Sequence, residues 1–220
     1  MIATESDFIH RFVAPEPAGP QITLLLLHGT GGDEEDLIPL GHQLLAGAAL
    51  LSPRGRVLEY GMPRFFRRLA AGVFDLDDLK VQTEALAKFV AGASKKYELD
   101  GRKIIAVGYS NGANIAASVL LTHPHLLAGA VLFRPMVPFE PQAASAIEGV
   151  PVLLAAARHD QIVSPNETSR LARILTSAGA SVTTHWHPGG HELGPDDIAA
   201  AKDWLSTYFV HSRSQHRSTR

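Results

Sequence analysis

The stretch Ile104-Ile-Ala-Val-Gly-Tyr-Ser-Asn-Gly-Ala-Asn-Ile-Ala-Ala-Ser-Val-Leu-Leu121 decides the fold. Its first four residues are apolar without alternation, as in a strand covered on both faces. From Gly112 to His123 the pattern is helical, and Pro124 stops it. Between them lies Gly108-Tyr-Ser-Asn-Gly112, a G-x-S-x-G turn. Such a pattern is common by chance; the strand before it and the helix after it make it specific. A serine on a tight strand-to-helix turn projects its hydroxyl from the sheet edge in a crowded backbone conformation. Glycines two residues to either side let strand and helix approach closely. The helix N-terminus behind the serine supplies N–H groups and partial positive charge where an oxyanion would form.

Outward from this turn, strand-like and helix-like segments alternate. Ile22 to Leu27, Ala48 to Ser52, Ala130 to Phe133, Val150 to Ala157 and Ser181 to Trp186 read as strands. Asp33 to Leu45, Leu76 to Tyr97, Pro165 to Ala178 and Asp196 to Val210 read as helices, with apolar side chains at helical spacing. The alternation predicts an α/β fold of three layers, a mostly parallel central sheet with helices on both faces. One domain over residues 1–210 is expected, followed by a basic, disordered tail over 211–220 that holds Arg213, Arg217 and Arg220. Pro53 to Asp75 falls outside the rhythm and reads as a long functional loop.

Composition narrows the chemistry. The 220 residues carry a formal net charge of −2, which gives no field to gather nucleic acid or an anionic membrane. With no cysteine, a disulfide framework, a thiolate metal site and a cysteine nucleophile are all excluded. The N-terminal residues Met1 to Phe12 contain Glu5 and Asp7 and no apolar core of a secretory signal, and no run is long enough to span a bilayer as a helix. A cytoplasmic protein is expected, and a homodimer is compatible with the sequence.

A serine hydroxyl needs a base, and the base needs an acid to orient it. Between Ser110 and the late histidines the acids are Glu140, Glu148, Asp160 and Glu167. Only Asp160 lies just beyond a strongly apolar strand, where an open α/β sheet places functional residues. Among the histidines that follow, His185 and His187 belong to a strand end, whereas His191 lies in Gly189-Gly-His-Glu-Leu, read as a flexible loop able to swing the ring over the serine. His28-Gly-Thr-Gly-Gly32 follows the first strand; its Thr30 amide and the Asn111 amide are the expected oxyanion donors. A metal reading of His185-Trp-His187 with His191 lacks clustered acids or cysteines, and no metal is expected.

For the substrate, the loops over the sheet edge offer Met62, Phe65, Phe66, Met136 and Ile162 as an apolar pocket for a small-molecule ester. Arg54, Arg64, Arg67 and Arg68 read mainly as solvated surface charges, with contact to an anionic substrate end as the alternative.

With these elements in place, the chain resembles the phospholipase/carboxylesterase family of α/β-hydrolases, which includes acyl-protein thioesterases and small bacterial carboxylesterases. Leu24-Leu-Leu-Leu-His-Gly-Thr-Gly-Gly32, Leu51-Ser-Pro-Arg-Gly55, Gly61-Met-Pro-Arg-Phe-Phe-Arg-Arg68 and Gly108-Tyr-Ser-Asn-Gly-Ala-Asn114 carry the likeness, which extends over nearly the whole chain. The resemblance implies Ser110, Asp160 and His191 as a triad, Thr30 and Asn111 as the oxyanion pair, no cofactor, and hydrolysis of carboxylic esters through an acyl-enzyme. Acyl-protein thioesterases commonly have an aspartate and a glutamine where this chain has Gly32 and Asn111. That departure counts against depalmitoylation more than against ester hydrolysis. Short-acyl or aromatic esters are the expected substrates; the alternatives are thioesterase or lysophospholipase action on longer chains, or a non-catalytic receptor on the same fold.

Overall fold

The computed structural model describes residues 8–70, 72–141 and 147–210. In chain order the elements begin with β1 (His10–Val13), β2 (Thr23–Leu27), α1 (Ile38–Leu44) and β3 (Ala49–Pro53). Two small hairpins follow, β4 (Val57–Glu59) with β5 (Met62–Arg64) and β6 (Arg68–Ala70) with β7 (Val73–Phe74), and then α2 (Leu76–Lys96). The second half holds β8 (Ile104–Tyr109), α3 (Asn111–Thr122), β9 (Gly129–Phe133), β10 (Pro151–Ala157), α4 (Pro165–Ser177), β11 (Ser181–His187) and α5 (Pro195–Leu205). The expected tail over 211–220 lies outside the described residues.

Seven strands form the main sheet in the order β1-β3-β2-β8-β9-β10-β11. Only β1 is antiparallel to its neighbour. Successive residues of the inner strands point to opposite layers. Leu24, Leu26, Ile105, Val107, Val131 and Leu153 join Leu44, Trp204 and Leu205 of α1 and α5. Leu25, Leu27, Ala106, Leu132 and Leu154 join Leu86, Phe89, Ile115, Val119, Leu171 and Leu175 of α2, α3 and α4. Apolar runs without alternation are therefore what a two-faced sheet needs, and each fully buried leucine stabilises the fold by about 1.5–3 kcal/mol.

The helices start where their sequences dictate. Asp75 caps α2 by accepting from the Asp78 amide at 3.1 Å, and Lys95 and Lys96 in the last turn complement the dipole. Ser164 caps α4 ahead of Pro165. The helix expected from Asp33 begins only at Ile38, because Asp33 Oδ1 accepts from the Glu35 amide at 2.9 Å in a local turn and Pro39 then fixes the first helical turn.

Pro53 to Asp75, read as a long functional loop, is built largely from two short hairpins. At the tip of β4–β5, Tyr60 and Gly61 both have positive φ, 53° and 80°, which a tight two-residue hairpin turn requires. Phe65 and Phe66, expected in the substrate pocket, are 1% and 0% exposed and belong to the core under α2 and α3. They anchor the hairpins to the domain. The chain leaves β2 towards β3 on one side and resumes at β8 on the other. This reversal opens a crevice at the carboxyl ends of β2 and β8, the usual ligand position in such sheets. Among the described residues no helix is long and apolar enough to cross a membrane.

Candidate active site

Ser110 stands at the mouth of this crevice, directly after β8. It has φ 52° and ψ −112°, a crowded conformation for a residue with a side chain. The turn closes only with glycines beside it. A Cβ on Gly108 would lie 2.6 Å from the Gly112 carbonyl oxygen, and one on Gly112 would run into the carbonyl of Leu27 in the neighbouring strand.

The structure brings three distant residues together here. His191 Nε2 lies 3.0 Å from Ser110 Oγ, and its Nδ1 lies 2.8 Å from Asp160 Oδ2. Asp160 follows β10, and its other oxygen accepts the amides of Ile162 at 2.8 Å and Val163 at 3.0 Å. The Asp160 side chain is thus fixed and 1% exposed. A carboxylate in this place selects the tautomer with the proton on Nδ1, leaving Nε2 free to accept from the serine.

The loop carrying His191 is not the flexible one expected. Six successive carbonyls are hydrogen-bonded. Those of His187 and Gly189 accept from the amides of Arg158 and His159, and that of Pro188 from the His159 ring at 2.6 Å. Gly190 and Glu192 accept from the guanidinium of Arg134 at 3.1 and 2.7 Å, and His191 from the Tyr109 hydroxyl at 3.2 Å. Burial holds the Tyr109 phenol above its ordinary value, which keeps it a donor.

The loop after β2 presents the Thr30 N–H, which has no hydrogen-bond acceptor among the described residues. The Asn111 N–H is the first of α3 and lacks an intrahelical acceptor. Two tethers hold this loop. The Gly31 amide donates to Pro63 at 2.9 Å, and buried His28 accepts the Gly55 amide on Nε2 at 2.9 Å while donating from Nδ1 to Gly29 at 2.6 Å. Burial pushes His28 below the ordinary imidazole value, so it is held neutral.

Beside Ser110 a cleft of about 280 Å³ is lined by Met136 and Ile162, as expected, and also by Arg64, Arg68, Asn111 and Asn114. Met62 packs on Gly31 outside that wall. Arg54 and Arg67 pair with Glu34 and Asp75 elsewhere. Arg64 and Arg68 share one carboxylate, Glu59, at 3.0 and 2.9 Å, so two cations meet one anion. Asn111 Oδ1 accepts the Phe65 amide and Asn114 Oδ1 the Met136 amide, each at 2.7 Å. Both side-chain oxygens are occupied, and the buried Nδ2 of Asn111 has no partner among the described residues.

His185 and His187 do not join His191. Both turn to the start of α5, where His187 Nδ1 lies 2.8 Å from Asp196 Oδ2. His187, Asp196 and Asp197 bring ligand-type atoms together. Asp197 is, however, already engaged by Arg134 at 2.9 and 2.7 Å, and a guanidinium so close opposes a second cation.

Comparison with known proteins gives a consistent relationship. Residues 66–197 match the family model described as dienelactone hydrolase family, a span that contains Ser110, Asp160 and His191. The chain is 46% identical over 187 residues to the Bacillus subtilis (strain 168) hydrolase MhqD, covering 85% of this chain and 94% of MhqD. The crystal structure of the Bacillus cereus carboxylesterase is similar with a TM-score of 0.87 and 46% identity, over 91% of this chain and 94% of that one. The carboxylesterase from Mesorhizobium loti is similar with a TM-score of 0.81 and 33% identity, over 84% of this chain and 88% of that one.

Proposed function

The chain belongs to the dienelactone hydrolase family, and we propose that it is a cytoplasmic serine carboxylesterase working through Ser110, His191 and Asp160. The observation that carries this reading is the continuous chain of contacts from Asp160 Oδ2 through the imidazole to Ser110 Oγ, 2.8 and 3.0 Å. Ser110 Oγ attacks the ester carbonyl as His191 Nε2 takes its proton. Asp160 orients the ring and stabilises the imidazolium. The Thr30 and Asn111 amides receive the oxyanion; one such donor is worth about 10²–10³ in kcat. Collapse expels the alcohol, protonated by His191, and leaves an acyl-serine. Water activated by the same imidazole then releases the acid.

The cleft wall supports a small, anionic substrate. Among the described residues its lining contains two guanidiniums, two side-chain amides with their oxygens occupied, and no Asp or Glu. Burial lowers the hold of Arg64 on its proton, a cost that an anion in the cleft would offset. The single excess positive charge suits one carboxylate better than a doubly charged phosphate. At about 280 Å³ the cleft lies just below the usual range of about 300–1,000 Å³ for ligand sites, which suits a short acid. The substrate class on this reading is a short ester that also bears a carboxylate.

The test is a p-nitrophenyl ester series from acetate to decanoate, with Ser110→Ala as the control. Rates falling with chain length, and turnover lost in a folded Ser110→Ala protein, are expected. Rates that climb towards decanoate favour the thioesterase or lysophospholipase alternative.

A further inference from the structure

His191 follows β11, whereas Ser110 follows β8, and β9 and β10 lie between them in the sheet. The loop must therefore carry the imidazole back across two strand ends and hold it there. Arg134 follows β9, midway along that path, with φ 54°. It is 1% exposed, and all five guanidinium N–H groups are used. Nε donates to the Gly190 carbonyl at 3.1 Å and Nη2 to the Glu192 carbonyl at 2.7 Å. Nη1 donates to the Ala155 carbonyl of β10 at 3.0 Å. The remaining two reach both oxygens of Asp197, which is fully buried in the first turn of α5. Asp197 Oδ2 also accepts the Gly194 amide at 2.9 Å, closing the far end of the loop.

We propose that Arg134 is the positioning residue for the proposed base, gripping the carbonyls of the residues immediately before and after His191. Its consequence for rate rests on the esterase reading above; its geometry does not. A buried ion pair alone would not argue this, because an apolar pair of similar shape is often as stable. An apolar pair, however, cannot satisfy three carbonyls. A lysine, a point charge with no planar fork, cannot reach both flanking carbonyls at once. Arg134 touches no substrate on this reading. It acts through the ring it holds, keeping Nε2 within reach of Ser110 Oγ.

The experiment compares wild type with Arg134→Met/Asp197→Leu, which removes the clamp without leaving a buried charge alone, and with Arg134→Lys, which keeps the charge should the double variant fail to fold. Three quantities are measured: p-nitrophenyl acetate kinetics, the thermal midpoint, and the ¹H NMR signal of the His191 Nδ1 proton, assigned by its loss in His191→Gln. A small displacement of a catalytic group costs about 100-fold. The double variant should therefore lose about 100-fold in kcat with KM held within about threefold, and its Nδ1 signal should broaden by exchange with water. Arg134→Lys should lose at least about tenfold in kcat. A folded variant with kcat within about twofold of wild type and a sharp Nδ1 signal overturns the inference. If the wild type hydrolyses no ester, the esterase reading fails and the NMR signal decides alone: retained sharpness in the variants overturns the clamp, and broadening upholds it.

Discussion

The donor-lined cleft makes a prediction about charge. Glu59 neutralises only one of Arg64 and Arg68. Arg68 directs only Nε to Glu59, so its terminal nitrogens face a substrate carboxylate on the proposed reading. A hydrogen bond to a charged group contributes about 1.5–3 kcal/mol, or about 10- to 150-fold in affinity at 1.4 kcal/mol per tenfold. The Arg68 side chain is 35% exposed, so screening by solvent selects the lower end, about tenfold. Monomethyl adipate carries a carboxylate where dimethyl adipate carries a second methyl ester, and the hydrolysis of both can be followed by pH-stat at low salt. Wild type should favour the monoester by about tenfold in kcat/KM per ester group. Arg68→Met should bring the ratio close to one, and Arg68→Lys should restore part of it. Equal rates in wild type, or a ratio untouched by Arg68→Met, would refute the reasoning while leaving neutral ester hydrolysis standing.

Two further outcomes follow from buried groups. His28 has a folded-state value below its ordinary 6.5, so below pH 6.5 the unfolded chain takes up the proton first and stability falls with pH until His28 itself titrates. Denaturant unfolding should show that slope in wild type and a flatter one in His28→Gln; equal slopes would contradict it. Asp160→Asn should leave folding intact and lower kcat by about 10⁴-fold, since an amide favours the wrong imidazole tautomer; steady-state kinetics with circular dichroism separates this from unfolding.

The sheet and its layers were legible because strands buried on both faces must be continuously apolar, as Ile22 to Leu27 and Ile104 to Val107 are. The serine turn was legible because its glycines answer to backbone contacts that no side chain would allow. Asp160 and His191 followed from chain order and strand ends. What stayed hidden depends on contacts distant in sequence. β1 is four residues long, holds His10 and Arg11, and exists as a strand only by pairing with β3. Phe65 and Phe66 look like pocket residues in a loop of arginines, but the hairpins turn them into the core. Arg134 had a visible signal, a charge directly after the buried strand Gly129–Phe133. Its five acceptor atoms, on four residues, come from three separate segments, so its use could not be read from its neighbours. The same contacts make the Gly189-Gly190 loop rigid despite its composition.

The central claim is that Ser110 becomes acylated with help from His191. Treatment with a fluorophosphonate followed by peptide mass spectrometry tests it most directly. The account predicts one adduct, on the peptide containing Ser110, absent in Ser110→Ala and formed far more slowly in His191→Ala. An adduct elsewhere, or ester turnover that survives Ser110→Ala, would contradict it.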